Sequence, residues 1–141
     1  MCTAKGARMG RKVFCCECNT KVRVASVRGS DIYAPCPPTI RNQKFFQCVH
    51  CGNYVGSYRN GRPLGVIPTR ELRYARMKIH ALIDPVWKAK RISRTVLYRE
   101  LSLRLGVAEY HTANIRTIDE ARNVYRVARA LIREIESGER T

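Results

Sequence analysis

Two short stretches hold the residues whose type and spacing suit chemistry: "VFCCECNTKVRV", with Cys15, Cys16 and Cys18, and "QCVHCGN", with Cys48 and Cys51. The chemistry is metal coordination. Zn²⁺ takes four tetrahedral ligands, and thiolates suit it well. A turn with two intervening residues aims both sulfurs at one ion, and Cys15-x-x-Cys18 and Cys48-x-x-Cys51 both have that spacing. These four cysteines are the expected ligands of a single zinc ion. The interval between the pairs, 29 residues from 19 to 47, exceeds the usual span of about 15–20. The excursion "SDIYAPCPPTIRNQ" takes up the extra length.

Cys16 is the odd cysteine of the first cluster, because adjacent side chains diverge and Cys15 with Cys18 completes the knuckle. Cys36 and His50 stand as alternative fourth ligands. Cys2, Cys16 and Cys36 otherwise read as free buried cysteines. A site made wholly of thiolates has no open position for water or substrate. Its role is structural, and its binding energy is folding energy.

The elements that must position these residues follow from the pattern on either side. From Val13 to Tyr58 the chain is β-like, with "KVFC" and "KVRVAS" around the first pair and "KFFQC" and "NYVGSY" around the second; "DIYA" is a short strand candidate. The predicted organisation is an α+β chain. A basic N-terminal tail (1–12) precedes a four-cysteine zinc ribbon (13–58), a turn-rich linker "RNGRPLGVIP" (59–68) and a helical region of about three helices (69–141).

In the helical region, Thr69 is the expected N-cap of a helix burying Leu72, Ala75, Ile79, Leu82, Ile83 and Val86. Asp84-Pro85 should kink that helix or cap a new turn. Ser93 caps a second helix stopped by Gly106. "TIDE" at 117–120 is a capping box opening a long third helix that ends near Gly138.

The formal charge is +16, from 27 Lys and Arg against 11 Asp and Glu. Residues 1–106 hold 21 basic and 5 acidic residues and so carry all of it, whereas 107–141 hold 6 of each. A localised positive field favours polyanions, above all nucleic acid. No apolar run follows the N-terminal charges and nothing approaches a membrane span. Seven cysteines in that setting suit a reducing compartment, so a cytoplasmic protein is expected.

Several of these stretches resemble a known family. "CCEC", "IY" at 32–33, "FFQCVHCGNYVGSYRNGRPLG" at 45–65, "RELRYARMKIHALIDPVW" at 70–87 and "YRELSLRLGV" with His111 downstream are similar to the small zinc-finger-containing proteins of unknown function found mainly in bacteriophages and prophages. The resemblance spans roughly residues 13–115. It implies a zinc ribbon followed by a helical region, in a phage-associated protein of the bacterial host cytoplasm, and brings no activity with it.

No catalytic constellation appears. "RNGRPLG" lacks the lysine and spacing of a phosphate loop. His80 reads as solvated, and His111 suits a helix cap or a phosphate contact, with the structural role preferred. The expected function is therefore non-enzymatic nucleic-acid binding, to DNA or RNA. Tyr54 and Tyr58 would stack on bases, while Arg59 and Arg62 meet phosphate. Arg70, Arg73 and Arg76 would join Lys88, Lys90, Arg91 and Arg94 of "KAKRISR" in a continuous basic patch. "ELSLRLGVAEYHTANI" partly matches a helix-turn-helix, with a reading helix from about Ala108 to Ile115. Arg122, Arg126, Arg129 and Arg133 form a stripe on the last helix, read as a solvated, ion-paired face. The alternative function is an adaptor or inhibitor of a host machine, such as RNA polymerase or a defence complex, working through the ribbon.

Overall fold

Alternation of apolar and polar residues in the first half makes two hairpins that share one sheet. The computed structural model describes residues 11–138, so most of the expected tail (1–12) and Cys2 lie outside the described residues. β1 (Lys12–Cys15) pairs antiparallel with β2 (Thr20–Arg28), Val13 opposite Val22. β3 (Lys44–Cys48) adds to β2 with Cys48 opposite Val24, and β4 (Tyr54–Gly56) adds to β3 with Val55 opposite Phe46. The order is β1-β2-β3-β4.

Side chains alternate between faces with period two. One face therefore collects Val13, Cys15, Val22, Val24, Phe46, Cys48 and Val55 into a buried core that Ile67 completes. The other face carries Lys12, Phe14, Lys21 and Arg23 at one end and Val27, Phe45 and Tyr54 at the other.

Two expectations change here. "DIYA" is not a strand, because the Asp31 carboxylate accepts the Arg28 N–H at 2.8 Å and winds Gly29–Ile32 into a short helix, α1. Gly29 is required at this point: a Cβ there would lie 1.9 Å from the Ile40 carbonyl oxygen. The stretch 59–68, expected as a linker, is folded onto the ribbon. Ile67 is fully buried, donates its N–H to Phe14 O at 2.8 Å and accepts from Cys16 N at 2.9 Å, bridging β1 in parallel. The boundary between the two compact units falls between Arg70 and Glu71.

Among the described residues the second unit has three α-helices. α2 (Arg70–Lys88) buries Leu72, Arg76, Ile79, Ile83 and Val86. It runs through Pro85 as one helix, so the predicted alternative of a new turn is not taken. α3 (Arg94–Leu105) is capped by Ser93, whose hydroxyl accepts from Val96 N at 3.1 Å, and ends at Gly106 in the left-handed region. Buried Ser102 ties α3 to the following loop, donating to Tyr98 O and accepting from Tyr110 N at 2.9 Å. α4 (Ile118–Ser137) buries Ala121, Val124, Ala128, Leu131 and Ile132.

Thr117 caps α4 by accepting from Glu120 N at 3.1 Å. The Glu120 carboxylate reaches Arg116 N at 2.9 Å, one residue upstream of the Thr117 N–H that a capping box uses. No α-helix forms from Ala108 to Ile115, where the reading helix was expected. Thr112–Asn114 is a single 3₁₀ turn, which removes the helix-turn-helix reading.

Truncating Ile67 to alanine should lower stability by about 2–4 kcal/mol in denaturant unfolding, as for a core residue rather than a linker residue. In the helical unit, hydrogen bonding to Arg104 holds the Glu134 carboxyl below the ordinary carboxylate range. A depressed folded pKa adds stability above the unfolded value and loses it as pH falls through the folded one. The stability deficit of Glu134→Gln should therefore be present at neutral pH and disappear in acid. A deficit that stays constant down the pH series would refute that linkage.

Candidate metal centre

The two hairpin turns bring four sulfurs together. Cys15 ends β1 and Cys48 ends β3, so each first cysteine leaves its strand already buried, and the turn returns the second one. The turns are alike. Asn19 donates its N–H to Cys15 O at 2.7 Å and Gly52 donates to Cys48 O at 3.1 Å. Both residues sit in the left-handed region, at φ 56° and φ 82°. Asparagine and glycine tolerate that region best.

The Sγ atoms of Cys15, Cys18, Cys48 and Cys51 all lie within 4.8 Å of one another. Cys15 and Cys51 are 3.5 Å apart, and Cys18 and Cys48 are 3.8 Å apart. A tetrahedron with Zn–S bonds of about 2.3 Å has edges of about 3.8 Å, so the set fits one zinc ion. Backbone N–H groups aim at the sulfurs, His50 N to Cys48 Sγ at 3.4 Å and Asn53 N to Cys51 Sγ at 3.5 Å. His50 thus serves through its backbone, with its side chain outside the cluster. Cys16 and Cys36 also lie outside it and are half-buried rather than buried.

The thiols resist ionising together. Burial, helped by hydrogen bonding with Cys48 and Cys15, pushes Cys18 up to about 12. Burial raises Cys51 as well. At Cys48 burial also acts upward, but the backbone N–H groups of Cys51 and His50 bring the thiol below its ordinary value. A bound dication reverses that cost and holds coordinating thiols deprotonated. With all four positions filled by sulfur, the ion would tie the two turns together and leave no site for substrate.

The residues expected to meet nucleic acid fall in both units, and not all of them are free to do so. Arg76 is buried, and its Nη2 donates to the Ile115 carbonyl at 2.6 Å, so it is a core residue and not a phosphate contact. The position itself explains this, because Arg76 lies one turn from Leu72 and Ile79 on the buried face. Arg73 is half-buried, while Arg70 and Lys88, both exposed, stand about 27 Å apart at the two ends of α2. The continuous patch is therefore broken. Arg91 pairs with Glu136 at 2.8 Å. Lys90 is exposed, and Arg94 lies 4.4 Å from the Tyr98 ring centroid and 5.8 Å from that of Trp87.

On the ribbon, Arg59 and Arg62 are exposed on the turn after β4, beside Tyr58, which is 51% exposed. Tyr54 packs edge-on against Phe45 and Tyr33 and donates to Tyr33 Oη at 2.9 Å, so its ring is built into the sheet and is no open stacking platform.

Sequence reasoning missed the cations of the sheet itself. Lys12 stands directly opposite Arg23, and Lys21 directly opposite Phe14, on the face away from the core. Strand alternation carries this signal once the register is known. On the other face, beyond the edge of the core, Lys44 and Arg28 are opposite each other, with the Lys44 ammonium 4.8 Å from the Phe46 ring centroid.

Serine at Cys15, Cys18, Cys48 or Cys51 should reduce zinc from one ion per chain to near none in elemental analysis, with the ribbon's β signal lost. Cys16→Ser and Cys36→Ser should keep the full complement. Because metal binding releases protons, zinc should also dissociate as pH falls. Full zinc retention by Cys48→Ser would overturn the ligand set.

Among known proteins, no curated protein and no solved structure matches the chain. A family described as a zinc-finger-containing domain matches residues 11–134, a span that takes in both knuckles, α2 and α3, and most of α4. With four cysteines placed for one ion and that match over most of its length, the chain belongs to the zinc-finger-containing domain family.

Proposed function

We propose that this zinc-binding protein is a non-enzymatic nucleic-acid-binding protein and that its principal phosphate contact is the outward face of the ribbon sheet. The observation that carries the reading is the in-register placing of Lys12 against Arg23, beside Lys21 and Phe14. Like charges directly opposite on a sheet are destabilising. An anion seated between them relieves that repulsion, and Lys21 on the same face offers a chain of phosphates a further contact.

The setting supports the same partner. Residues 1–70 hold 12 Lys and Arg against 2 Asp and Glu, a net +10, or about +8 with one zinc and four thiolates. One of those two acids, Asp31, is used in starting α1. Exposed Tyr58, Arg59 and Arg62 extend the ribbon's binding surface, and Lys88, Lys90 and Arg94 give the helical unit a smaller one. A site made wholly of thiolates leaves the metal no open position for substrate, which supports a structural role for it. The phage setting and the bacterial cytoplasm come from the family resemblance. No helix among the described residues is long and apolar enough to cross a membrane.

The test is equilibrium binding of zinc-loaded protein to random duplex DNA, single-stranded DNA and RNA across a salt series. Micromolar binding with a steep log–log salt dependence is expected for at least one of the three. Lys12→Glu, Lys21→Glu and Arg23→Glu combined should weaken it at least tenfold and reduce the slope by about 2–3. Binding that keeps its affinity and slope in that variant would place the contact elsewhere. No binding at physiological salt to any of the three would remove the proposal.

A further inference from the structure

α4 carries four acids besides its arginines, and their partners decide what its outer face presents. Glu120 closes the N-terminus on Arg116 N. Glu134 pairs with Arg104 of α3, and Glu136 pairs with Arg91. Asp119 alone approaches the stripe, 3.7 Å from Arg122. Arg126 is held by Asn123, a neutral partner, and Arg129 and Arg133 make no ion pair among the described residues. The face expected to be ion-paired is thus left cationic, because its acids serve other contacts.

That face borders a groove within the helical unit. Side chains of α2 and α4 enclose about 610 Å³, over a floor that includes Ala75, Ile79, Ile118 and Ala121. The rim carries five cations, Lys78, Arg122, Arg126, Arg129 and Arg133, against the single carboxylate of Glu71. Two tyrosines stand exposed on it, Tyr74 at 61% and Tyr125 at 37%. From Ile118 to Arg133 the groove follows α4 for about 22 Å, or four turns.

We infer that the groove between α2 and α4 binds an acidic amphipathic helix of a partner protein. The shape and charge select that occupant. An apolar floor rewards Leu- or Phe-type side chains repeating along one face of a helix, and a phosphate backbone gains nothing from it. The arginines, at i, i+4, i+7 and i+11, match carboxylates spaced along the flank of such a helix, and guanidinium groups pair with carboxylates bidentately. A small anion would use one or two of these arginines and leave the rest of the length empty. This surface shares no residue with the ribbon face proposed for nucleic acid, so each stands or falls alone.

The probe is a synthetic acidic amphipathic peptide of about 18 residues, with Leu at helical spacing and Glu flanking it, read by fluorescence anisotropy against the zinc-loaded full chain. The control is a scrambled peptide of the same composition. Expected is saturable binding with gain of peptide helicity, at least tenfold weaker for the scrambled peptide. Arg126→Glu with Arg129→Glu should weaken it at least tenfold, whereas charge reversal at Lys12, Lys21 and Arg23 should leave it unchanged. Ala130→Trp, which fills the groove at an exposed position without altering charge, should also block binding and covers the case in which the double variant misfolds.

Equal affinity for the scrambled peptide, no saturable binding, or indifference to the groove variants would each overturn the inference. So would loss of duplex or single-strand binding in the groove variants without any peptide binding, which would assign the groove to nucleic acid.

Discussion

Four sulfurs within one coordination sphere are the constraint on which the ribbon depends. Its strands are short, 4, 9, 5 and 3 residues, and β1 and β4 are both edges. Small sheets of this kind have little apolar surface to set against chain entropy. The core below them, from Val13 across to Val55, includes Cys15 and Cys48 themselves, so the metal ligands are also packing residues. Closing the site therefore fixes both hairpin turns and the strand ends that lead into them. Ile67 then docks beside Cys15, carrying the chain back across β1 before α2 begins.

The same closure permits a surface that would otherwise weaken the fold. Lys12 faces Arg23, and Arg28 faces Lys44, two like-charged pairs in one small sheet. A marginal sheet held only by packing would tolerate such pairs poorly. A structural metal site contributes folding free energy of order 10 kcal/mol in small zinc modules, well above the cost of two exposed repulsive pairs. Metal and charge are linked in this way: the first supplies the rigidity, and the second uses it to hold cations in a fixed register.

What was legible in the sequence was local, or periodic over many residues. The knuckles were readable from Cys-x-x-Cys spacing, and Ser93 and Thr117 from the run of residues after them. The buried side of α4 followed from its long 3.6-residue period. Features set by contacts between distant residues were not readable. Ile67 sits in a stretch full of turn formers, and only its pairing with Phe14 and Cys16 makes it core. Residue type alone marks Arg76 as a surface cation, although its place between Leu72 and Ile79 puts it on the buried face. "DIYA" had strand-like composition, but one carboxylate at Asp31 was enough to turn it. The basic sheet face needed the register of β1 on β2, which spacing alone does not provide.

Acidic residues decide where a strongly basic chain keeps its charge. With 11 acids against 27 bases, most cations can have no acidic partner, so the placement of each carboxylate matters more than its number. Here the carboxylates go to structural duties. Asp31 starts α1, Asp84 accepts the Trp87 indole N–H at 3.1 Å, Glu120 closes α4, and Glu134 and Glu136 tie α4 to Arg104 and Arg91. Each of these holds an element in place, and none neutralises the ribbon face or the groove arginines. The apparent neutrality of α4, four acids against four arginines, is thus an average over an ion-paired side and a cationic side of one helix. The fold separates charges that the sequence intermixes. In doing so it makes two positive surfaces of different character, a sheet with cations in register and a groove with an apolar floor, and that difference in what lies beneath the charge is the reason a different partner is proposed for each.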